Sequence, residues 1–352
     1  MKKKSFILNP AYIDSYRFIK KLSLFKLWNW ALLIWSFYLA KWTKKPIHWG
    51  RPLTIGVEPT TACNLRCPEC PSGLRNFTRP TGNLKTDFFR TIVDEQARQL
   101  VYLYFYFQGE PYINPAFLDM VRYAHQQGIY TVTSTNGHFL NDQLAEATVR
   151  SGLDRIIISI DGTTQEVYEQ YRKEGKLEVV LQGARNLVKW KKKLKAQHPY
   201  IIFQFLVVGP NEHQVDEVQT LAQEIGVDKV VYKTAQIYNY KNGHPLIPKA
   251  EKYSRYRLLK NGTYEIKNRL EDHCWKLWHA CVLTWDGRVI PCCFDKDAQY
   301  EMGNLRDSSF GEIWRNQTYG QFRQQVLKGR KHIDICTNCS EGTRVWAIQP
   351  EE

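Results

Sequence analysis

"TTACNLRCPECPSG", residues 60–73, holds three of the chain's nine cysteines in the spacing Cys63-x3-Cys67-x2-Cys70. It directly follows "LTIGVE" (53–58), a short run that reads as a strand. Thiolates are soft ligands for zinc, Cu(I) or iron–sulfur clusters. A closed structural zinc site takes four protein ligands, and this loop supplies three. A four-iron cubane held by three cysteines instead leaves one iron open to an exchangeable molecule. Spacing alone also admits a zinc knuckle completed by a distant His or Cys.

Beyond the loop, strand-like runs recur: "VYLYFYF" (101–107), "YTVTS" (130–134), "RIIISI" (155–160), "IIFQFLVV" (201–208) and "KVVYKTA" (229–235). Helical periodicity falls between them, over Asp87–Arg98, Pro115–Gln126, Asp142–Ser151, Leu177–Leu194 and His213–Ile225. Strand followed by helix, six times over, predicts an α/β fold: a partial (β/α)6 TIM-like barrel left open on one side. The three-thiol loop then sits at the C-terminal mouth of the strands, where such folds gather reactive groups. The alternation stops near residue 240, where a polar, turn-rich stretch begins. The expected division is an N-terminal helical segment (1–50), the barrel (51–240), a linker (241–272) and a cysteine-rich tail (273–352).

With 352 residues, 43% hydrophobic and 24% charged, the chain is globular and large enough for two cores. Its cysteines fall in two groups, 63–70 and 274–339, with none in the 203 residues between. Secreted disulfide frameworks are not distributed that way, so a reducing, cytoplasmic setting is expected. Net charge is +14, and residues 1–50 carry ten basic side chains against the single acid Asp14. Within them runs "LWNWALLIWSFYLA" (27–40), flanked by lysines and too short for a bilayer span of ~20 residues. Two readings stand: a helix in a membrane interface, peripheral to the inner face, or a helix packed on the barrel with its lysines in water. Nucleic acid is not the expected partner of this segment.

"CNLRCPEC" resembles the C-x3-C-x2-C signature of the radical S-adenosylmethionine (radical SAM) enzymes, and the resemblance covers roughly residues 50–240. It implies a [4Fe-4S] cluster on Cys63, Cys67 and Cys70, whose open iron is chelated by S-adenosylmethionine. "QGEP" (108–111) resembles the family's GGEP motif, which approaches the cofactor's ammonium group; Gln108 replaces its first glycine, while Gly109 and Glu110 remain. "TSTNG" (133–137) and "SIDG" (159–162) end the next two strands, so the resemblance places Ser134, Asn136, Ser159 and Asp161 near the cofactor. Arg172 is a candidate for its carboxylate, and "VVGPNEHQ" (207–214) lies where family members contact adenine.

The tail resembles the SPASM and twitch extensions of that family, through Gly287-x4-Cys292, "MGNLRDSSFGEIW" (302–314) and Cys336-x2-Cys339. The resemblance implies a small C-terminal SPASM/twitch-type domain with one auxiliary [4Fe-4S] cluster on Cys274, Cys292, Cys336 and Cys339. Cys281 is an alternate for Cys274, and Cys293 is spare because it points to the opposite strand face from Cys292. A zinc ribbon is the alternative for the tail. The implied reaction is reductive cleavage of S-adenosylmethionine to a 5′-deoxyadenosyl radical that takes hydrogen from an unidentified substrate, with an electron donor such as flavodoxin or ferredoxin. Three kinds of role are weighed: chemistry on a membrane-proximal compound or small metabolite, maturation of a ribosomally made peptide, and non-catalytic iron–sulfur or zinc binding.

Overall fold

A computed structural model describes residues 9–341, so residues 1–8 and 342–352 of the expected first and last segments lie outside it. The six predicted strands are β1 (Thr54–Val57), β2 (Tyr102–Phe105), β3 (Tyr130–Thr135), β4 (Arg155–Ser159), β5 (Tyr200–Val207) and β6 (Lys229–Thr234). They pair parallel, each with the next in chain order. Strand alternation sends Leu103 and Phe105 of β2 outward into the layer under the helices, and Tyr102 and Tyr104 inward. That outer layer completely buries Phe89, Phe117, Phe203 and Trp278, each contributing ~1.5–3 kcal/mol through lost apolar exposure.

The N-terminal segment forms two helices, α1 (Pro10–Lys20) and α2 (Leu24–Thr43), bent by 91° at the break between them. Ser23 caps α2 by accepting from Lys26 N at 3.3 Å. Helix α1 lies under the N-terminal ends of β3 and β4: buried Asp14 accepts from the Tyr130 hydroxyl and from Arg155, and Arg17 pairs with Asp154. Helix α2 buries Asn29, Leu33, Ser36, Phe37 and Ala40 against the barrel, and Asn29 grips the Arg51 backbone through bonds of 2.9 and 2.8 Å. The packed reading of this segment had its lysines in water, and Lys26 departs from it. Its ammonium donates to the carbonyls of Lys21 (3.0 Å) and Gly128 (3.2 Å), and burial pulls its pKa down to about 8.

The stretch expected as a linker carries a small hairpin, β7 (Tyr256–Leu258) with β8 (Tyr264–Ile266). The tail then extends the barrel's own sheet. Strand β9 (Ala280–Leu283) runs parallel to β1, from Thr54↔Ala280 to Val57↔Leu283; β10 (Arg288–Ile290) returns antiparallel, and β11 (Gly303–Asn304) follows. Among the described residues the result is one nine-stranded sheet, β11-β10-β9-β1-β2-β3-β4-β5-β6. The β9–β10 turn needs Gly287, whose φ is +99° and whose Cβ, if present, would stand 2.8 Å from Asn304 Oδ1.

Candidate functional site

The loop after β1 is fastened at both ends. Glu58, fully buried at the end of β1, takes both terminal nitrogens of buried Arg79 and also accepts from Trp285 N in the tail hairpin at 3.3 Å. A buried bidentate pair of this kind fixes geometry more than it adds stability. Neither partner stood out in the sequence, because an ordinary Glu at a strand end carries no local signal for a ligand 21 residues away.

Cys63, Cys67 and Cys70 are brought together at the C-terminal mouth of the barrel, and the groups expected after the later strands meet them there. Asn136 Nδ2 lies 2.7 Å from Asn64 Oδ1 and 3.9 Å from Cys63 Sγ. Arg172 is half-buried: Nη1 lies 3.7 Å from Cys67 Sγ and Nε pairs with Asp161. Asp161 in turn accepts from Leu206 N at 2.8 Å, tying the ends of β4 and β5 to the thiol loop. Glu110 accepts from Asn136 N (2.7 Å), Thr135 Oγ1 (2.7 Å) and Tyr112 N (3.3 Å), and burial lifts its pKa to about 7 despite these donors. The Ser134 and Ser159 side chains share the inward faces of β3 and β4 and make no hydrogen bond among the described residues.

Gln108 does not disturb this motif. It lies outside the left-handed region, and its Oε1 stands 3.9 Å from Cys70 Sγ and 3.5 Å from Ser72 Oγ. The close approach belongs to Gly109, with φ +74° and space for a Cβ only 2.3 Å from Thr60 O. The segment 207–214 acts through Asn211, whose Nδ2 bridges the carbonyls of Asp161 and Leu206 at 2.9 Å each.

In the tail, the thiols of Cys274, Cys336 and Cys339 lie within electrostatic reach of one another, and Cys292 within reach of Cys339. Buried Arg330 stands beside Cys336 and Cys339; it binds the carbonyls of His273 (3.4 Å) and Glu341 (3.1 Å) and leaves Nε unpartnered. Cys281 is elsewhere, on the helix-facing side of β9, and Arg323 is the charged group that bears on it. Cys281→Ala should therefore leave iron content unchanged and cost about 1 kcal/mol, read from metal analysis and thermal unfolding. Loss of several irons in that variant would make Cys281 a ligand. Cys293 faces a cavity inside the barrel, with Lys276 Nζ at 3.4 Å from its sulfur.

Both thiol groups suit soft-metal clusters. Burial pushes Cys63, Cys336 and Cys339 up to about 12, a penalty on the free thiolate that coordination by a soft metal removes. Among the described residues no three His, Cys, Asp or Glu side chains are drawn in tightly enough to grip a single ion, and ligands at the corners of a cubane stand further apart than that. The unpartnered guanidinium edge of Arg330 and the Arg172 contact to Cys67 supply positive charge beside each group.

Comparison with known proteins agrees with this geometry. Residues 57–225 match the radical SAM superfamily model, and residues 274–340 match the SPASM model, an iron–sulfur cluster-binding domain. The tungsten-containing aldehyde ferredoxin oxidoreductase cofactor-modifying protein of Pyrococcus furiosus is 27% identical over 321 residues, 81% of this chain and 86% of the relative. The PqqA peptide cyclase of Gluconobacter oxydans is 26% identical over 315 residues, 84% of each. The crystal structure of Streptococcus suis SuiB bound to S-adenosylmethionine shares the fold, with TM-score 0.60 at 12% identity over 84% of this chain and 73% of that one. Radical SAM enzymes use a [4Fe-4S] cluster and S-adenosylmethionine and need a reductant, and a SPASM domain adds auxiliary iron–sulfur binding. With the trio at the strand mouth and a second thiol group in the tail, the chain belongs to the radical SAM superfamily and carries a C-terminal SPASM domain.

Proposed function

We propose that this protein binds its radical SAM cluster through Cys63, Cys67 and Cys70, cleaves S-adenosylmethionine there, and abstracts hydrogen from a substrate held in the barrel. The observation that carries this reading is the convergence of three buried or half-buried thiols with Asn136, Glu110 and the Asp161–Arg172 pair at the ends of successive strands. When bound, the cluster supplies the electron that breaks the sulfonium bond, giving methionine and the 5′-deoxyadenosyl radical. The protein's share is position and exclusion of water. Glu110 and Asn136 hold the β2 and β3 ends in register, with the close backbone passage at Gly109 bringing that loop under the thiols. The inward hydroxyls of Ser134 and Ser159 are free to bond the cofactor. One auxiliary [4Fe-4S] cluster is assigned to Cys274, Cys292, Cys336 and Cys339, with Arg330 offsetting its charge.

The test is anaerobic reconstitution, reduction and assay for 5′-deoxyadenosine. Release of 5′-deoxyadenosine supports the reading, and its complete absence in cluster-loaded, reduced protein counts against it.

The same reading places the enzyme in the cytoplasm, fed by a flavodoxin- or ferredoxin-type donor and seated on a membrane surface through α1 and α2. No single helix among the described residues is long and apolar enough to cross a membrane. Among the described residues, twelve of the sixteen large exposed apolar side chains nevertheless fall between Tyr12 and Trp49. Leu24, Trp28, Trp35 and Trp42 repeat along the face of α2 opposite its buried one, with Trp42 82% exposed. Tryptophans flanked by lysines suit the headgroup layer of an anionic bilayer. Vesicles with about one third anionic lipid should float the wild-type protein, and a Trp28→Ala/Trp35→Ala/Trp42→Ala variant should bind at least about tenfold more weakly. Equal binding by both, or dimerisation through this face instead, overturns the membrane reading. Peptide modification is the second reading, supported by the similarity to a peptide cyclase.

A further inference from the structure

Enclosed by the inward faces of the strands is a cavity of about 1110 Å³, running from Thr54, Tyr102 and Arg155 at the strand N-termini to Tyr106 and Thr234 at the C-terminal side. Its wall is rich in cations, and not all of them are matched. Arg155 is paired with Asp14, and Lys276 with Glu341 at 2.9 Å. Lys233 on β6 opens onto the cavity and makes no hydrogen bond or ion pair among the described residues. Arg255, beside it, is held by neutral oxygens alone: the Thr234 hydroxyl (3.5 Å), the Thr234 carbonyl (3.2 Å) and the Asn338 carbonyl (3.0 Å).

The carboxylates in the wall are taken elsewhere, Glu341 by Lys276 and Glu271 by His273 at 3.0 Å, so Lys233 and Arg255 face the cavity without an ion-pair partner and an anion entering it would meet both. Lys233 is exposed to the cavity, and desolvation lowers its pKa against the opposing pull of Cys293 and Glu341; burial lowers that of Arg255 against Tyr256, Cys339 and Cys293. Cys274 and Arg330 also line this cavity, and Cys339 and Cys293 bear on Arg255, so the auxiliary thiols border the cationic pair; among the cysteines only Cys293 bears on Lys233. The rest of the wall is aromatic, with Tyr102, Tyr104 and Tyr106 in a row along β2. The Tyr104 hydroxyl, packed over Gly56 of β1, is buried and has no hydrogen-bond partner among the described residues.

We propose that this cavity is the substrate pocket and that Lys233 and Arg255 form its oxyanion subsite, receiving a carboxylate or phosphate group of the substrate while the tyrosine row packs along its body. The word substrate rests on the radical reading above; the subsite itself rests on the cavity and its unmatched cations. Aromatic and cationic groups in this order suit a compact anionic molecule with an apolar or ring-shaped body.

The probes are inorganic phosphate and malonate, titrated calorimetrically into cluster-loaded protein with and without saturating S-adenosylmethionine. At least one should bind saturably, about tenfold more weakly in Lys233→Met, with affinity recovered in Lys233→Arg. The preferred probe tells phosphate from carboxylate. Absence of saturable binding, equal affinity in Lys233→Met, or displacement of the probe by S-adenosylmethionine each overturns the proposal. Release of 5′-deoxyadenosine by the unaltered protein is followed in the same preparation. Its failure counts against the radical reading, whereas the anion titration decides the subsite by itself.

Discussion

Replacing Cys63, Cys67 and Cys70 together with alanine is expected to remove about four of about eight iron atoms per chain and to lower 5′-deoxyadenosine formation by more than about a hundredfold. The remaining iron belongs to the tail, whose thiols have their own neighbours in Arg330 and in each other. A graded comparison comes from Arg172→Met, which touches the trio without supplying a ligand. Its guanidinium reaches Cys67 Sγ at 3.7 Å and neutralises buried Asp161, so its removal should cut activity by about 10- to 100-fold while iron is largely kept. The pair of results separates holding the cluster from orienting what surrounds it. Should the triple variant retain full iron and cofactor cleavage, the loop would not be the cluster site.

The barrel was legible in the sequence because its signals are local. The runs at 101–107, 130–134 and 201–208 became β2, β3 and β5 with their ends shifted by a residue or two, and the helix periodicities between them matched just as closely. Such runs are announced by their β-branched and aromatic content, since β3 and β5 are buried on both faces and show no strict alternation. Three features were hidden because they depend on partners distant in the chain. The tail strand β9 pairs with β1 across some 226 residues, as Thr54↔Ala280 shows, and nothing in "ACVL" specifies that neighbour. Arg172 is a cofactor candidate by resemblance, but its contacts with Asp161 and Cys67 come from elements distant in the chain or brought together only by the fold. The N-terminal segment admitted both a packed and an interfacial helix, and α2 has a face for each: Leu33, Phe37 and Ala40 inward, Trp28, Trp35 and Trp42 outward.

Gly109→Ala is expected to destabilise the protein by about 2–5 kcal/mol and to lose radical-cluster iron with it, the largest effect foreseen for a single methyl group. Two costs combine. A φ of +74° penalises any Cβ by ~1–2 kcal/mol, and the methyl would lie 2.3 Å from Thr60 O and 2.8 Å from Ala62 O. Those oxygens are backbone, and Ala62 O already accepts from Glu110 N at 2.8 Å, so neither can swing aside. The strand-end loop must retreat from residues 60–63, taking with it the Gly109 N bond to Ser72 Oγ at 2.7 Å. Gln108→Gly is the matched control, since that backbone has no need of glycine; it should leave the melting temperature within a few degrees of wild type, the range expected for ~1 kcal/mol. Thermal unfolding and iron analysis of the two variants side by side check the assignment. If alanine at 109 is harmless and glycine at 108 is not, the tight passage lies one residue earlier than this backbone places it.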